Sequence, residues 1–520
     1  MKRRVMVVAL AAAMLFSLLI FPVQAEEYKM GDVDGDGEVT VRDVGVLRLY
    51  LADKVGADTL TMQAGDVDGD GEVTVRDVGM LRLYLADKIT LEPVEKIDLS
   101  LYTIVYPAVY TKYEMYAAQL LQDYVQDTFD LNLPLSDDTA AETEYELLIG
   151  NTNRAASKAD ISYESGEYLL KAVEKQIILQ GQGYMIGGAV GALTYQHLDD
   201  GQIILSDISE ANVPAAYTPL PATGVILMIG DGMGYNHIKG AEFYWGFTDE
   251  DWDGFTAKEL PNQGSVSTFC LKGNPLTEKV FQKTITDSAA SATAMATGWK
   301  TYAAHLGVNY LGDALLNVRE IADSLGYKTG ILTTDEAFKA TPAAFTVHNS
   351  SRYEYEQIQA DQQALLDSGD LTYLRGEAGE ALLEYTKEVL DTVSADSEGF
   401  FAMIEEAYID IYSAPGIHFT DLLHAVARLD SAVEYAMTFA AARPDTVLIV
   451  TADHETGNVD EYGVIGNNGQ HTMKDVPIFA MGAGTEIFHE QRIENNEIGQ
   501  FIASVYGVED FGGTYSNIAE

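Results

Sequence analysis

The sequence predicts an α/β fold, chiefly from a regular alternation of strands and helices in its C-terminal half. Four short runs there have the length and apolar composition of interior strands, at residues 225–229, 329–333, 399–404 and 446–450. Helical stretches separate them, and strands that alternate with helices indicate a parallel sheet. With 520 residues and a hydrophobic content of 47%, the chain is long and apolar enough to form several domains with sizeable cores.

Residues 1–25 have the organisation of a secretory signal peptide. Lys2, Arg3 and Arg4 precede an apolar run that extends to Phe21, and the small residues before Glu26 resemble a cleavage site. We therefore expect a secreted chain that starts near Glu26. The alternative is an uncleaved membrane anchor, because the run nearly reaches the roughly 18 residues that cross a bilayer.

A pattern at residues 31–43 recurs almost letter for letter at 65–77. In each copy, oxygen-bearing side chains stand at loop positions one, three, five, nine and twelve, with glycine at position six, which is the spacing of a calcium-binding loop. The predicted calcium ligands are Asp32, Asp34, Asp36, Thr40 and Asp43 in the first copy and Asp66, Asp68, Asp70, Thr74 and Asp77 in the second, with the backbone carbonyls of Glu38 and Glu72.

Two features distinguish this pair of loops from an ordinary EF-hand. Aspartate replaces glutamate at position twelve, and a single helix follows each loop, at 44–53 and 78–87. The repeat closely resembles a dockerin. The resemblance implies an all-α domain at 26–92 that folds around two Ca²⁺ ions and docks onto the cohesin domain of a scaffoldin, as in cellulosomes. The alternative is an acidic, solvated linker.

The pattern of strands and helices in residues 96–215 predicts a small α/β accessory domain. Strands are expected at 101–106, 145–149, 167–172 and 176–179, and helices at 113–129 and 185–198. The segment looks like the non-catalytic domain that precedes some secreted glycosidases. It offers no convergent catalytic set, so we expect a spacer or packing role, with carbohydrate contact as the alternative. Residues 219–222 read as the linker to the last domain.

Ser288 is the predicted nucleophile. It follows Thr286 and Asp287 at the start of an alanine-rich stretch that favours a helix. The unpaired N–H groups and positive dipole of a helix N-terminus can hold a phosphate and support alkoxide character on a serine. The alternative is plain capping, because threonine, aspartate and serine are all good N-caps.

Polar and charged residues follow the four predicted strands. Because ligands of open α/β sheets gather outside the carboxyl ends of the strands, these residues predict a metal site. They are Asp231 after the first strand, Lys339 and Thr341 after the second, Glu405 and Asp410 after the third, and Asp453 and His454 after the fourth.

Five motifs that occur in one order resemble the alkaline phosphatase family across residues 223–510. They are Gly230-Asp231-Gly232-Met233-Gly234, Thr286-Asp287-Ser288-Ala289, Ala340-Thr341-Pro342-Ala343, Thr451-Ala452-Asp453-His454 and His471-Thr472. The resemblance implies an alkaline-phosphatase-like, mostly parallel sheet with helices on both faces at 222–520. It also implies a phosphomonoesterase that acts on small phosphate monoesters through a phosphoserine intermediate.

The same resemblance assigns roles to the site residues. Asp231 would bridge two metals, Asp453 and His454 would complete the Zn²⁺ that contacts Ser288, and Asp410 and His471 would hold a second Zn²⁺. Thr341 and Glu405 would line a third site of the Mg²⁺ type. Arg352 matches the arginine that forks onto the phosphate, a task that lysine performs less well.

The chain departs from the family at three positions. Ala414 stands where the family has a zinc-binding histidine, so the site at Asp410 and His471 loses an imidazole and is expected to be weaker. His418 is either a substitute ligand or a bystander. Lys339 stands where the family has aspartate or histidine. Its ammonium either partly replaces Mg²⁺ or reaches the phosphate through water, and the alternative is a solvated lysine with no role. Ile411 stands where the family often has lysine or tryptophan.

Composition narrows the function further. A formal net charge of −48 argues against binding nucleic acid or an anionic membrane through a basic surface, and favours cation binding. The single cysteine, Cys270, excludes an internal disulfide, and it lacks the Cys-x-Pro-x-Arg context of a sulfatase. The alternative function is a catalytically weakened, phosphatase-like binding module tethered to an assembly.

Overall fold

The computed structural model describes residues 29–52, 54–67, 73–86, 88, 96–158, 161–205, 208, 211–248, 254–273, 282–414, 419–466 and 469–513. The expected signal peptide therefore lies outside the described residues. The chain divides into two compact units, one made of residues 1–96 with 204–206 and the other of the remaining residues.

The first unit contains the repeated loops and their helices. The helices are α1 (Val41–Leu51), α2 (Met62–Gly65) and α3 (Val75–Leu85). Helices α1 and α3 therefore begin three residues earlier than expected, because Thr40 and Thr74 cap them and Asp43 and Asp77 complete capping boxes. The repeat also builds the core, in which Val33 and Leu47 of the first copy pack with the equivalent Val67 and Leu81 of the second.

The second unit opens with the small α/β region. Its six-stranded sheet has the order β3-β2-β4-β6-β5-β9. The strands are β2 (Thr103–Tyr106), β3 (Leu135–Asp137), β4 (Glu146–Ile149), β5 (Glu167–Val173), β6 (Gln176–Gly181) and β9 (Ala215–Ala216). Helices α4 (Lys112–Phe129) and α5 (Ile186–Gln196) accompany them, and short strands β1 (Lys96–Asp98), β7 (Leu198–Asp199) and β8 (Gln202–Ile204) lie outside this sheet.

The remainder of this unit is built around an eight-stranded sheet with the strand order β15-β14-β16-β10-β17-β20-β11-β21. Its strands are β10 (Gly224–Gly230), β11 (Asn262–Ser267), β14 (Lys328–Thr333), β15 (Tyr373–Arg375), β16 (Phe400–Glu406), β17 (Thr446–Thr451), β20 (Val476–Met481) and β21 (Arg492–Glu494). The five strands from β15 to β17 are mutually parallel, and β20 pairs antiparallel with both neighbours. The prediction of a mostly parallel sheet is confirmed.

Helices and two small strand pairs complete the unit. The helices are α6 (Tyr235–Thr248), α7 (Ser288–Thr297), α8 (Val318–Ser324), α9 (Ala340–Ala344), α10 (Tyr355–Ser368), α11 (Leu382–Ser394), α12 (Tyr408–Tyr412), α13 (Phe419–Ala442) and α14 (Asn495–Val505). The pairs are β12 (Cys270–Lys272) with β13 (Gln282–Thr284), and β18 (Glu455–Thr456) with β19 (His471–Thr472). None of the helices in the described residues is long and apolar enough to cross a membrane.

Close helix packing joins the small α/β region to the large sheet. Helix α5 lies against α13, and a Cβ on Gly187 would be 2.4 Å from the carbonyl oxygen of Thr438. Only glycine fits this approach, which accounts for Gly187. The two sheet regions thus belong to one compact unit.

Candidate active site

The parallel strands bring the predicted site residues to one edge of the large sheet. Asp231 follows β10, Glu405 lies near the end of β16, and Asp453 and His454 follow β17. Ile229 of β10 pairs with both Glu405 of β16 and Thr451 of β17, so these strands end side by side. The sheet register, rather than proximity along the chain, assembles the site.

Ser288 is the first residue of α7 and does not serve as its cap. Asp287 is the N-cap, and its Oδ1 accepts a hydrogen bond from the backbone N–H of Ala290 at 3.0 Å. The hydroxyl of Ser288 instead lies 3.2 Å from Nε2 of His454. The plain-capping alternative therefore fits Asp287, and the Ser288 hydroxyl is directed to the residues that follow β17.

Arg352 is held beside the same helix terminus. Its Nη1 donates to Oδ2 of Asp287 at 3.1 Å, and that oxygen also accepts from the N–H of Ala304 at 3.0 Å. One carboxylate thus caps the helix with one oxygen and orients the guanidinium with the other. A positive, planar donor set next to Ser288 suits the oxygens of a phosphoryl group.

Asp231, Asp453 and His454 form a buried group next to Ser288 whose ligand atoms lie within 4.8 Å of one another. The Oδ1 of Asp231 and the Oδ2 of Asp453 have no hydrogen-bond partner, and Nε2 of His454 is 3.2 Å from that Oδ2. Burial, followed by the charge of Asp453, raises the pKa of Asp231 well above its usual range. Unpartnered buried carboxylate oxygens and an imidazole nitrogen fit a divalent cation.

Asp410, His471 and again His454 form a second group. The Nε2 of His471 is 3.3 Å from Oδ1 of Asp410, and its Nδ1–H donates to the carbonyl of Thr286 at 2.9 Å. Burial favours the neutral ring, but the hydrogen bond and charge of Asp410 outweigh it and raise the pKa of His471 to about 9. Ala414 contributes no donor atom here, and His418 lies outside the described residues.

The residues expected at a third site are also close together. Glu405 accepts a hydrogen bond from the hydroxyl of Thr333, and burial raises the pKa of Glu405 to about 8. The buried side chain of Thr341 also hydrogen-bonds to Glu405, which partly offsets that rise in pKa. The Nζ of Lys339 lies 3.2 Å from a carboxylate oxygen of Glu336.

The first calcium loop brings its acidic ligands together. Atoms of Asp32, Asp34 and Asp36 lie within 4.8 Å of one another, and Oδ1 of Asp32 is buried without a partner. Asp43 instead accepts from the N–H groups of Val33 and Thr40, at 2.8 and 2.7 Å. In the second loop, Asp66, Thr74 and Asp77 are described, whereas Asp68, Asp70 and Glu72 lie outside the described residues.

The sequence analysis did not identify the residues that hydrogen-bond to the backbone of a proposed ligand. Ser291 donates to the carbonyl oxygen of Asp453, and Asn495 donates to the Ser291 hydroxyl at 2.7 Å. Asn495 in turn accepts from the buried ammonium of Lys300. Asn495 lies 204 residues from Ser291 and 195 from Lys300 along the chain, so no local pattern could reveal this chain of hydrogen bonds.

His237 is another buried residue near the site that the sequence analysis did not identify. Its Nδ1 accepts from the N–H of Gly234 at 3.0 Å, so its Nε2 carries the hydrogen that faces the hydroxyl of Ser413, also at 3.0 Å. Burial lowers the pKa of His237 to about 4. It links the loop after β10 to the segment just before Ala414. Its position three residues after the Gly230–Gly234 motif was the available signal.

Two family models match the chain. Residues 222–375 and 365–468 match alkaline phosphatase, and residues 30–86 match the dockerin type I domain. Together the alkaline phosphatase matches cover the motifs at Asp231, Ser288, Thr341 and Asp453, and they stop just before His471.

Several characterised proteins resemble the same region. "Alkaline phosphatase 4" of Bacillus subtilis is 28% identical over 339 residues, which span 54% of this chain and 70% of that protein. "Alkaline phosphatase" of Escherichia coli is 41% identical over 135 residues, 26% of this chain and 27% of that protein. "Streptomycin-6-phosphate phosphatase" of Streptomyces griseus is 37% identical over 149 residues, 27% and 31% of the two chains.

Solved structures were also found. The alkaline phosphatase from the Antarctic bacterium TAB5 aligns with a TM-score of 0.46 and 25% identity, covering 56% of this chain and 99% of that one. The sequence matches and the ordered motifs carry the assignment. The chain therefore carries an alkaline phosphatase domain, matched at residues 222–468, and a dockerin type I domain, matched at residues 30–86.

Proposed function

We propose that this protein is a secreted, metal-dependent phosphomonoesterase with Ser288 as its nucleophile, tethered to a cohesin through its dockerin domain. The observation that carries the proposal is the position of the Ser288 hydroxyl, 3.2 Å from Nε2 of His454 and next to two buried, unpartnered carboxylate oxygens. The match of residues 222–468 to alkaline phosphatase makes the reaction class phosphoric monoester hydrolysis.

The proposed metal ligands follow the groups described above. Asp231, Asp453 and His454 would hold one Zn²⁺ and Asp410 and His471 a second. Thr341 and Glu405 would line an Mg²⁺ site, with Asp231 shared between two of the metals. When bound, these cations lower the pKa of the serine hydroxyl and stabilise negative charge on the reacting oxygens. The acidic composition and the raised pKa of Asp231 support cation binding.

The side chains of the site then perform the transfer. Arg352, oriented by Asp287, binds the phosphoryl oxygens while the dipole of α7 favours the anion at its N-terminus. The Oγ of Ser288 forms a bond to phosphorus as the bond to the ester oxygen breaks. Water then cleaves the phosphoserine and releases inorganic phosphate.

Replacing Ser288 with alanine tests this assignment. We expect Ser288→Ala to lose several orders of magnitude in turnover of an aryl phosphate and to yield no phosphorylated peptide after rapid quenching, with folding and zinc content nearly intact. Ser504→Ala is the control, because that hydroxyl only donates to the carbonyl of Phe501 within α14. Near-normal turnover in Ser288→Ala would refute the mechanism.

A second candidate function is a phosphatase-like module with weakened catalysis that binds its ligand within an assembly. Ala414 supports it, because an alanine removes one imidazole from the group at Asp410 and His471. Zinc content measured together with turnover separates the two. Full zinc occupancy with negligible turnover would favour the binding module.

The dockerin half of the proposal is tested on the full chain. Asp32 and Asp66 occupy position one of the two loops, so Asp32→Ala with Asp66→Ala should abolish binding of two Ca²⁺ ions, measured by metal analysis after dialysis. Phosphatase activity should persist, because the calcium loops and the proposed active site belong to different compact units. Retained calcium in this variant would contradict the ligand assignment.

A further inference from the structure

Thr456 is a buried residue of β18 that lies two positions after His454. Its N–H donates to the carbonyl of Gly232 at 3.1 Å, and in the pairing of β18 with β19 it stands opposite His471. It therefore lies between the two groups of proposed metal ligands without belonging to either.

The hydroxyl of Thr456 contacts both groups. Its Oγ1 donates to Oδ1 of Asp410 at 2.5 Å and lies 3.1 Å from Nδ1 of His454. A hydroxyl has one hydrogen to give, and here the carboxylate of Asp410 receives it. The contact with His454 must then run the other way, with Nδ1–H of the imidazole donating to Oγ1.

This direction fixes the tautomer of His454. With the hydrogen on Nδ1, Nε2 carries the lone pair, and Nε2 is the atom that faces Oγ of Ser288 and Oδ2 of Asp453, both at 3.2 Å. A metal ion binds an imidazole nitrogen through such a lone pair. The absence of a hydrogen bond at Oδ2 of Asp453 agrees with an Nε2 that has no hydrogen to offer.

Gly232 provides the space for this arrangement. A Cβ at Gly232 would lie 2.9 Å from Oγ1 of Thr456 and 2.9 Å from the Cα of Asp410, and its φ of +78° also favours glycine. The second glycine of the Gly230–Gly234 motif thus allows Thr456 and Asp410 to meet. The close approach of these two side chains therefore depends on the backbone shape at Gly232.

We propose that Thr456 is a positioning residue that holds His454 as its Nδ1–H tautomer and so commits its Nε2 to the metal next to Ser288. Because His454 lies within reach of both ligand groups, the same hydrogen bond keeps its Nδ1 from serving the group of Asp410 and His471. The inference rests on the proposed role of His454 as a metal ligand.

Thr456→Val removes the hydroxyl and keeps the shape of the side chain. We expect the affinity for the more tightly bound Zn²⁺ to fall about 10–100-fold, the loss typical of a partner that orients a metal-binding histidine. Competition with a chromophoric chelator measures it. Thr456→Ser restores the hydroxyl and should retain most of the affinity. Thr472→Val is the matched control, because its hydroxyl on the paired strand donates to Glu455 instead of a proposed ligand.

Nitrogen-15 NMR of the metal-free protein, selectively labelled at histidine, gives an independent readout. In the wild type, His454 should carry its hydrogen on Nδ1, and Thr456→Val should shift it toward Nε2. Two results would overturn this inference alone. One is a Thr456→Val variant that binds Zn²⁺ as tightly as the wild type, and the other is a wild-type His454 that carries its hydrogen on Nε2. A wild type that binds no Zn²⁺ would overturn the proposed function as well.

Discussion

The two proposed zinc groups differ in burial and in how they are built. The side chains of Asp231, Asp453 and His454 are 10%, 0% and 0% exposed, whereas those of Asp410 and His471 are 24% and 25% exposed. The first group sits directly on the ends of β10 and β17. The second relies on the short helix α12 and the small strand β19. We infer that burial and a rigid sheet make the group near Ser288 the tighter site.

The largest effect should come from breaking the buried group. Asp453→Ala removes a carboxylate whose Oδ1 also accepts from the N–H of Gly232, so it disturbs both the ligand set and the loop. We expect Asp453→Ala to lower the zinc affinity by more than the about 10–100-fold typical of losing a partner that orients a ligand, and to abolish turnover. Metal analysis and steady-state kinetics check this.

The matched change in the other group is Asp410→Ala. It should leave one Zn²⁺ bound near Ser288 and remove the second, so that a burst of phosphoserine is followed by little turnover. Loss of both metals in Asp410→Ala, or equal losses in the two variants, would contradict the difference between the groups.

Zinc titration of the metal-free wild type should show the same contrast without mutation. The group near Ser288 has three buried ligands, whereas the group of Asp410 and His471 has two half-buried ones. This difference predicts two separate zinc-binding steps, and the weaker step should limit turnover. Turnover should therefore continue to rise with added Zn²⁺ after the first equivalent has bound. A single step with two equivalent sites would remove the basis of the comparison.

The smallest effects concern Ala414 and His418. Ala414→His restores the imidazole that the family has at this position and should tighten the second zinc step and speed turnover, measured by the same titration. His418→Ala should strip about one metal equivalent if His418 substitutes for the missing ligand, and should change nothing if it is a bystander. If both variants behaved as the wild type, the weaker-site hypothesis would be wrong.

The sequence predicted the class of the fold and the dockerin well, because both depend on local patterns. The β16 strand is apolar from Phe400 to Ile404 and β17 from Val447 to Val450, and the calcium ligands recur at fixed spacing. Ser291, Asn495 and Lys300 could not be predicted, because their hydrogen bonds join α7 to the start of α14 across the fold. Neither could the antiparallel placement of β20, since pattern alone does not give strand direction. The roles of Ser288, Arg352 and the metal ligands remain predictions that the proposed variants test.

The packing of α7 has a consequence for engineering the enzyme. All ten of its residues are buried, and a Cβ on Gly499 of α14 would lie 2.5 Å from the carbonyl oxygen of Met295. Its alanines and serines therefore reflect the space available, and larger side chains would overpack it. Libraries that aim at a new substrate should spare this helix. They should instead vary exposed neighbours of the proposed site residues, such as Tyr353 beside Arg352 and Ile411 beside Asp410, where a new side chain displaces only water.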